Sequence, residues 1–201
     1  MALPKTCLSC FLVITVLVLM TAGVNIKKKD NQVFGSTIDS YNGINVYYNG
    51  NSKHIKGRNL SNDGYNFGLK YECTEFVKRY YYLHFNHKMP FTSGNAKDFY
   101  NINLKDGQRN KQRDLIQYSN SSKTKPEVDD LIIFPSNKFN HFGHVAIISK
   151  VTNNEIEVVQ QNMGFSTRAT FALVNKNNKW KVTGNPFGWV DVKCLGWLRK
   201  E

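Results

Sequence analysis

The last part of the chain contains six short segments that are typical of β-strands. Each is rich in β-branched or aromatic residues, and Asn, Gly or Pro residues separate them. In chain order after Pro126 they read "DLIIF", "HVAIISKV", "EIEVVQQN", "TRATFALV", "KWKV" and "KCLGWLR". Such a series predicts an antiparallel meander, a sheet in which consecutive strands are neighbours.

Upstream of these segments the pattern changes to that of an amphipathic helix. From about Glu72, apolar and aromatic residues recur at spacings of three and four, whereas Lys78 and Arg79 fall on the other face. The apolar face consists of Cys73, Phe76, Val77, Tyr80, Tyr81, His84 and Phe85. A helix that packs on an antiparallel sheet gives the α+β fold class.

Three other segments carry weaker signals. The segment "INVYY", flanked by Asn-Gly on both sides, predicts one short strand. Ser93 could cap a second short helix. Residues 103–127 are rich in Lys, Asn, Asp and Ser, and we expect them to be mostly loop.

The length and composition predict one folded domain, and the N-terminal residues predict an export segment before it. The chain has 201 residues, of which 41% are hydrophobic, enough for one core. Residues 1–23 have the layout of a secretory signal peptide, with Lys5, an apolar run and small residues. We expect a polar lead at 24–39, the domain at 40–201, and a location outside the cell or in the envelope. An uncleaved membrane anchor is the alternative and would be the protein's contact with a membrane.

The net charge bears on which partners the protein could bind, and the cysteine count bears on its disulfides. The net charge of +12 attracts polyanions, but the basic residues are spread along the chain and form no block with interleaved aromatics. Because export also argues against nucleic acid, we expect no nucleic acid partner. We also expect a monomer. Cys7 and Cys10 would leave with the signal, so that only Cys73 and Cys194 remain. One disulfide is possible, but the domain is not a disulfide scaffold.

Cys73 lies in the first turn of the predicted helix. Free N–H groups and the positive end of the helix dipole would stabilise a thiolate there and lower the pKa of the thiol. The same N–H groups could stabilise the oxyanion that forms when sulfur attacks a carbonyl. The alternative is that Cys73 is a small buried apolar residue.

A thiol nucleophile needs a base, and the chain has five histidines. His84 would lie about 16 Å along the same helix, and His87 further still. His54 remains possible, but His144 is the best candidate, because it follows Gly143 and opens a strand that could hold its imidazole rigidly. His141 and His144 also form H-x-x-H, a weak metal signal without an accompanying Glu. We expect no metal and no cofactor.

These residues lie in segments that resemble CHAP domains, the cysteine, histidine-dependent amidohydrolases/peptidases, and in particular the glutathionylspermidine amidase branch. The similar segments are "YECTEFVKRYYYLHF", "PEVDDLIIFP", "GHVAIISKV", "EVVQQN" and "LGWLR", in the family's order. The resemblance implies a papain-like fold with Cys73 as nucleophile and His144 as base. It also implies an orienting residue at Gln160, where relatives look like "EQN". Asp129 stands where the family has a glycine, which could alter a turn near the site.

The register of one hairpin decides which amide reaches His144. Gln160 and Asn162 share a strand face, whereas Gln161 points the other way. If Val151 lies opposite Glu155, both Gln160 and Asn162 are on the histidine's face. A two-residue turn at 153–154 would present Gln161 instead.

The resulting expectation is a secreted cysteine amidase or endopeptidase. Cys73 would attack an amide carbonyl, His144 would move the proton, and Gln160 with Asn162 would orient the ring. For a secreted member the resemblance implies peptide amides of peptidoglycan as substrate. The alternatives are a glutathionylspermidine-type amidase and a non-catalytic envelope-binding domain whose site has decayed.

Overall fold

The computed structural model describes residues 33–50, 57–184 and 193–201. The predicted signal peptide and His54 lie outside these ranges. The described chain forms one α-helix, α1 (Cys73–Phe85), a short 3-10 helix (Ala96–Phe99) and twelve strands. The strands are β1 (Thr37–Tyr41), β2 (Ile44–Tyr47), β3 (Arg58–Leu60), β4 (Asn66–Leu69), β5 (Gln108–Asn110), β6 (Leu115–Ser119), β7 (Leu131–Phe134), β8 (His144–Val151), β9 (Glu155–Val159), β10 (Arg168–Lys176), β11 (Lys179–Thr183) and β12 (Gly196–Arg199).

Eight strands form the main sheet, in the order β11-β10-β9-β8-β7-β12-β6-β5, with antiparallel neighbours throughout. The predicted α+β class and the meander from β7 to β11 are confirmed. The prediction fails at β12, which lies between β7 and β6 rather than beside β11. Its central Trp197 and Leu198 are fully buried, as an inner position in the sheet requires.

The region predicted as loop at 103–127 contains β5 and β6, so that prediction was wrong. Polar residues in these strands obscured the pattern, because Asn110 and Gln117 are buried and bonded to each other at 3.1 Å. The predicted strand "INVYY" is confirmed as β2, and it pairs with β1. Strand β1 begins at Thr37, three residues before the expected domain boundary. The predicted second helix is a 3-10 turn capped by Asn95 rather than by Ser93.

The main sheet curls so that β11, at one end of the strand order, meets the segment after β6 near the other end. Trp180 on β11 donates its backbone N–H to the carbonyl of Ser122, which follows β6, at 2.7 Å. Asn120 strengthens the closure by exchanging two side-chain hydrogen bonds with the backbone of Val182. The inside of this curl is apolar and contains Ile132, Ala146, Ile148, Val158, Phe171 and Trp197.

Helix α1 packs on the outer face of the same sheet. Phe76, Val77, Tyr80 and Tyr81 of the helix share a core with sheet residues that include Leu131, Ile133, Val145, Ile147, Val159 and Leu198. Within the described ranges no helix is both long and apolar enough to cross a bilayer.

Lys78 and Arg79 fall on the other face of the helix from its apolar residues, as predicted, but that face is also buried. They are only 2% and 7% exposed, because β2 and β4 cover the side of the helix that faces away from the sheet. The ammonium of Lys78 donates to the carbonyl of Thr92 at 2.7 Å. Because a buried charge must be paired or hydrogen-bonded, the contact between Lys78 and the carbonyl of Thr92 helps to fix the position of the helix.

Arg79 belongs to a buried polar network that ties the start of α1 to its surroundings. Its Nε lies 2.5 Å from Glu75 Oε1, and its Nη1 donates to the carbonyl of Asn45 at 3.0 Å. Gln161 completes the network by donating to Glu75 Oε2 at 2.8 Å and to the carbonyl of Glu72 at 3.1 Å. The segment after β9 is thereby bonded to the residue that precedes Cys73.

We predict that Arg79→Met destabilises the protein by about 3–5 kcal/mol, because it leaves Glu75 buried without its ionic partner. The free energy of unfolding in urea measures this. Arg109→Met is the matched control, since it removes an exposed pair with Asp114 and should cost less than about 1 kcal/mol. The double variant Glu75→Gln, Arg79→Met should recover part of the loss. Equal costs for Arg79→Met and Arg109→Met would contradict the prediction.

Candidate active site

Cys73 is the first residue of α1, as predicted. Glu72 before it has an extended backbone with φ −75° and ψ 158°, which starts the helix at the cysteine. The thiol is buried in the core between α1 and the sheet. The backbone of Val145, the residue after His144, hydrogen-bonds to the thiol, so the helix start abuts the start of β8.

The pKa of the Cys73 thiol is shifted in the direction opposite to the expected one. Burial raises it to about 12, and the nearby charge of Glu72 raises it as well. Backbone groups of Val145, Thr74 and Cys73 act in the other direction, as a helix start should, but burial outweighs them. The resting nucleophile is therefore the neutral thiol.

His144 opens β8 directly opposite Phe134, the last residue of β7. Gly143 before it has φ +73°, and a Cβ there would lie 2.6 Å from the carbonyl oxygen of Phe134. Glycine is therefore needed for the chain to enter the strand at this point. Burial lowers the pKa of His144 to about 4, so that the imidazole is neutral at physiological pH.

Gln160 fixes the tautomer of that neutral ring. Its Oε1 lies 3.0 Å from Nε2 of His144, and its Nε2 donates to the carbonyl of Ser166 at 2.8 Å. Because the carbonyl of Ser166 can only accept, it holds the amide oxygen of Gln160 toward the ring. His144 therefore carries its proton on Nε2, and Nδ1 keeps the lone pair that a base needs. Among the described residues, no hydrogen bond joins Nδ1 to the Cys73 sulfur in this resting geometry.

The hairpin between β8 and β9 combines the two registers that the sequence left open. The turn is the two-residue one, since Thr152 donates to the carbonyl of Glu155 at 2.9 Å. A bulge at Ser149 then shifts the pairing, so that Ile147 lies opposite Val159. Extended by one residue, this register places Gln160 opposite Ala146, on the face that His144 shares.

Asn162 does not contact His144. Its backbone is left-handed, with φ +67°, and its Nδ2 donates to Glu72 Oε2 at 2.6 Å. Asn49 at the end of the β2 segment contacts both residues, donating to Asn162 Oδ1 at 2.8 Å and to Glu72 Oε1 at 3.3 Å. Of the predicted orienting pair, only Gln160 reaches the imidazole.

The other candidate histidines in the described ranges lie elsewhere. His84 is 4.0 Å from Asp129, and His87 is bonded to the carbonyl of Arg113. His141 is exposed on the loop before β8. The described residues contain no group of three or more His, Cys, Asp or Glu side chains placed to hold a metal. Cys194 is a free thiol whose sulfur contacts the carbonyl of Gly196, so no disulfide joins it to Cys73.

The turn at Asp129 is not next to Cys73. The φ of Asp129 is +71°, the left-handed conformation that glycine adopts most readily. The hydroxyl of Tyr80 donates to the carboxylate of Asp129 at 2.6 Å, and the hydroxyl of Tyr81 donates to the backbone carbonyl of Asp129 at 2.7 Å. The turn therefore braces the middle of α1.

Sequence reasoning missed how three residues meet around the nucleophile. Glu72, Asn49 and Gln161 are brought together by segments that are distant in the chain. Gln161 was considered only as an alternative partner of His144, and no local pattern marks Glu72 or Asn49. The "QQN" motif was the one available signal, since three consecutive amide residues after a buried strand are unusual for a turn.

The fold and the motif residues define the class of protein. The CHAP domain family matches residues 62–162, about half of the chain and the part that contains α1, His144 and Gln160. The chain belongs to this family. Family membership supports an amidase or peptidase hydrolase.

Relatives confirm the resemblance to the glutathionylspermidine amidase branch. The bifunctional glutathionylspermidine synthetase/amidase of Escherichia coli (strain K12) is 29% identical over 151 residues, which cover 70% of this chain and 23% of that protein. Trypanothione synthetase of Crithidia fasciculata is 28% identical over 160 residues, covering 73% of this chain and 24% of that protein. The matched region spans about a quarter of the length of these relatives.

We predict that kcat/KM for amide hydrolysis falls at acid pH with a midpoint near pH 4, because protonation of His144 there removes the base. Above that pH, kcat/KM should stay level through neutrality, since the thiol does not ionise in that range. A pH profile of kcat/KM from pH 3 to 9 measures this. A rate that climbs tenfold per pH unit through neutrality would instead indicate attack by a free thiolate.

We predict that Gln160→Ala lowers kcat/KM by about 100-fold or more, because the ring loses the acceptor that holds its tautomer. Gln160→Glu keeps this acceptor and should move the acid midpoint upward by about 1–3 pH units, since a carboxylate favours the imidazolium. The same variant should lower the free energy of unfolding, because it sets a carboxylate against the carbonyl of Ser166. Unchanged kcat/KM in the Ala variant would show that Gln160 does not orient His144.

Proposed function

We propose that this domain is a cysteine-dependent amidase. The observation that carries the proposal is the hydrogen bond of His144 Nε2 to Gln160, which leaves Nδ1 as a base at the strand start that abuts Cys73. A papain-like arrangement, with thiol on a helix start and imidazole on the sheet, agrees with this pairing.

In the proposed reaction, His144 Nδ1 removes the proton of the Cys73 thiol as the sulfur attacks the amide carbonyl. Backbone N–H groups at the start of α1 stabilise the oxyanion. The imidazolium then gives its proton to the leaving amine, and an acyl-thioester remains on Cys73. Water, deprotonated by the same imidazole, releases a carboxylic acid and restores the thiol.

Because both partners rest in their neutral forms, proton transfer and attack must occur together. Gln160 is a neutral acceptor and stabilises the imidazolium less than a carboxylate would. We therefore infer a slower enzyme than one with a carboxylate at this position. The hydrogen bond of Gln160 to Ser166 favours the amide, since a carboxylate could not donate there.

Two observations favour different substrates. The apolar N-terminal run followed by small residues favours export, and the charge of +12 favours an anionic polymer, which together support peptide amides of peptidoglycan. The similarity to proteins named glutathionylspermidine synthetase/amidase favours an amide of that kind. Both substrates contain an amide bond, and both would be hydrolysed by the same chemistry.

The test uses purified mature protein with peptidoglycan and with glutathionylspermidine, and mass spectrometry identifies the products. We predict hydrolysis of at least one substrate, and a loss of about 1,000-fold or more in Cys73→Ala and in His144→Ala. Cys194→Ala is the matched control and should keep full activity. Binding of peptidoglycan without any cleavage product would favour the non-catalytic envelope-binding alternative and overturn the amidase.

A further inference from the structure

A carboxylate precedes the nucleophile and takes no part in the proposed reaction. Glu72 occupies the N-cap position of α1, but its side chain makes no capping hydrogen bond. Instead its two oxygens accept from Asn49 and Asn162, at 3.3 and 2.6 Å. The carboxylate is half-buried and held in one orientation by side chains from two other segments of the chain.

The charge of Glu72 works against the nucleophile. It raises the pKa of the Cys73 thiol by Coulombic repulsion of the thiolate. A negative charge at the start of a helix interacts favourably with the helix dipole, but Glu75 already supplies one in the first turn. Neither helix capping nor thiol activation therefore explains a carboxylate clamped beside the sulfur.

Asn49 provides a second, independent feature of the same place. It is only 2% exposed, and its Nδ2 is occupied by Glu72 and Asn162. Its Oδ1 is buried and has no hydrogen-bond partner in the part of the chain that the structure describes. A buried acceptor without a donor is costly, so a donor from a ligand would be favourable here.

The two asparagines are held in place by their own segments. Asn162 has the left-handed backbone that asparagine tolerates better than most residues, and this conformation turns its side chain toward Glu72. Tyr48, next to Asn49, stacks on Phe165 with ring centroids 4.6 Å apart and so joins the two segments. The group is built into the fold rather than assembled from surface side chains.

The chemistry that remains for a ligand consists mainly of acceptors. Asn49 Nδ2 donates to Glu72 and to Asn162, and Asn162 Nδ2 donates to Glu72. This leaves one N–H of Asn162 beside a negative carboxylate and the unpaired amide oxygen of Asn49. An ammonium group has three donors, a positive charge and no acceptor, and it matches this set. A carboxylate or phosphate would meet the like charge of Glu72, which the one remaining N–H of Asn162 would not offset.

We propose that Glu72, Asn49 and Asn162 form a subsite for an ammonium group of the substrate, next to the amide that Cys73 attacks. This inference rests on the proposed amidase function and makes it more specific. The enzyme would prefer amides that carry a free amine near the scissile bond over neutral amides of the same shape. The bound ammonium would also offset the charge of Glu72 when the sulfur loses its proton.

The test compares two matched pairs of probes. Glutathionylspermidine is paired with the nonylamide of glutathione, in which carbon replaces the two free amines of the spermidine part. A peptidoglycan fragment with a free side-chain amine is paired with its N-acetylated form. The selectivity is the kcat/KM for the probe that carries the amine in question divided by that for its partner without this amine, measured for the pair that the protein hydrolyses.

We predict that the selectivity is about tenfold or more in the wild type and approaches one in Glu72→Gln, as expected for loss of a charged hydrogen-bond partner. Glu72→Asp keeps the charge and should retain part of the selectivity. Glu155→Gln makes the same charge change at the far end of the β8–β9 hairpin and should keep the wild-type ratio. Thermal unfolding checks that each variant is folded.

The outcomes separate this inference from the proposed function. Hydrolysis with the same selectivity in wild type and Glu72→Gln overturns the subsite and leaves the amidase standing. If folded wild type hydrolyses no probe, the amidase proposal fails, and calorimetric titration with spermidine then decides the subsite. Binding that Glu72→Gln weakens about tenfold would support it, and binding that is absent or unaffected by Glu72→Gln would overturn it.

Discussion

The buried carboxamide of Gln161 holds the start of helix α1 against the rest of the domain. It accepts from the backbone N–H of Tyr47 at 2.8 Å and donates to the carbonyl of Glu72 and to the carboxylate of Glu75. It thus joins β2, the helix start and the segment after β9. Because Glu75 and Arg79 are buried as well, none of these bonds can be replaced by water without opening the core.

From this junction, three consecutive amide residues reach three different partners. Gln160 faces His144, Gln161 faces the helix, and Asn162 turns back to Glu72 through its left-handed backbone. The alternation of a strand explains the first two directions, and the change of conformation at Asn162 explains the third. The segment therefore sets the tautomer of the proposed base, the position of the proposed nucleophile and the orientation of the neighbouring carboxylate.

The sequence predicted those parts of the fold that depend on local pattern. The spacing of apolar residues located α1 and the strands from β7 to β11, and Asn-Gly pairs located β2. It failed where polar residues are buried in strands, as at Asn110 and Gln117, because such residues usually indicate a loop. The insertion of β12 between β6 and β7 is a long-range pairing that no local signal encodes.

The site was predictable to the same extent. Cys73 and His144 stand at a helix start and a strand start, which local pattern can find. The alternation of side chains along a strand left two possible hairpin registers, and each register presents different amide residues to His144. The bulge at Ser149 decided between them and has no sequence signature. The pKa of Cys73 was predicted in the wrong direction, because the helix start was visible in the sequence whereas the burial of the thiol was not.

The central claim is that Cys73 carries the acyl group during turnover. Acid quenching of a reaction in progress, followed by mass spectrometry of the intact protein and of its peptides, tests this most directly. The account predicts an adduct with the mass of the acyl part of the substrate, located on the peptide that contains Cys73. Turnover without any adduct on that peptide, or an adduct on Cys194 instead, would contradict it.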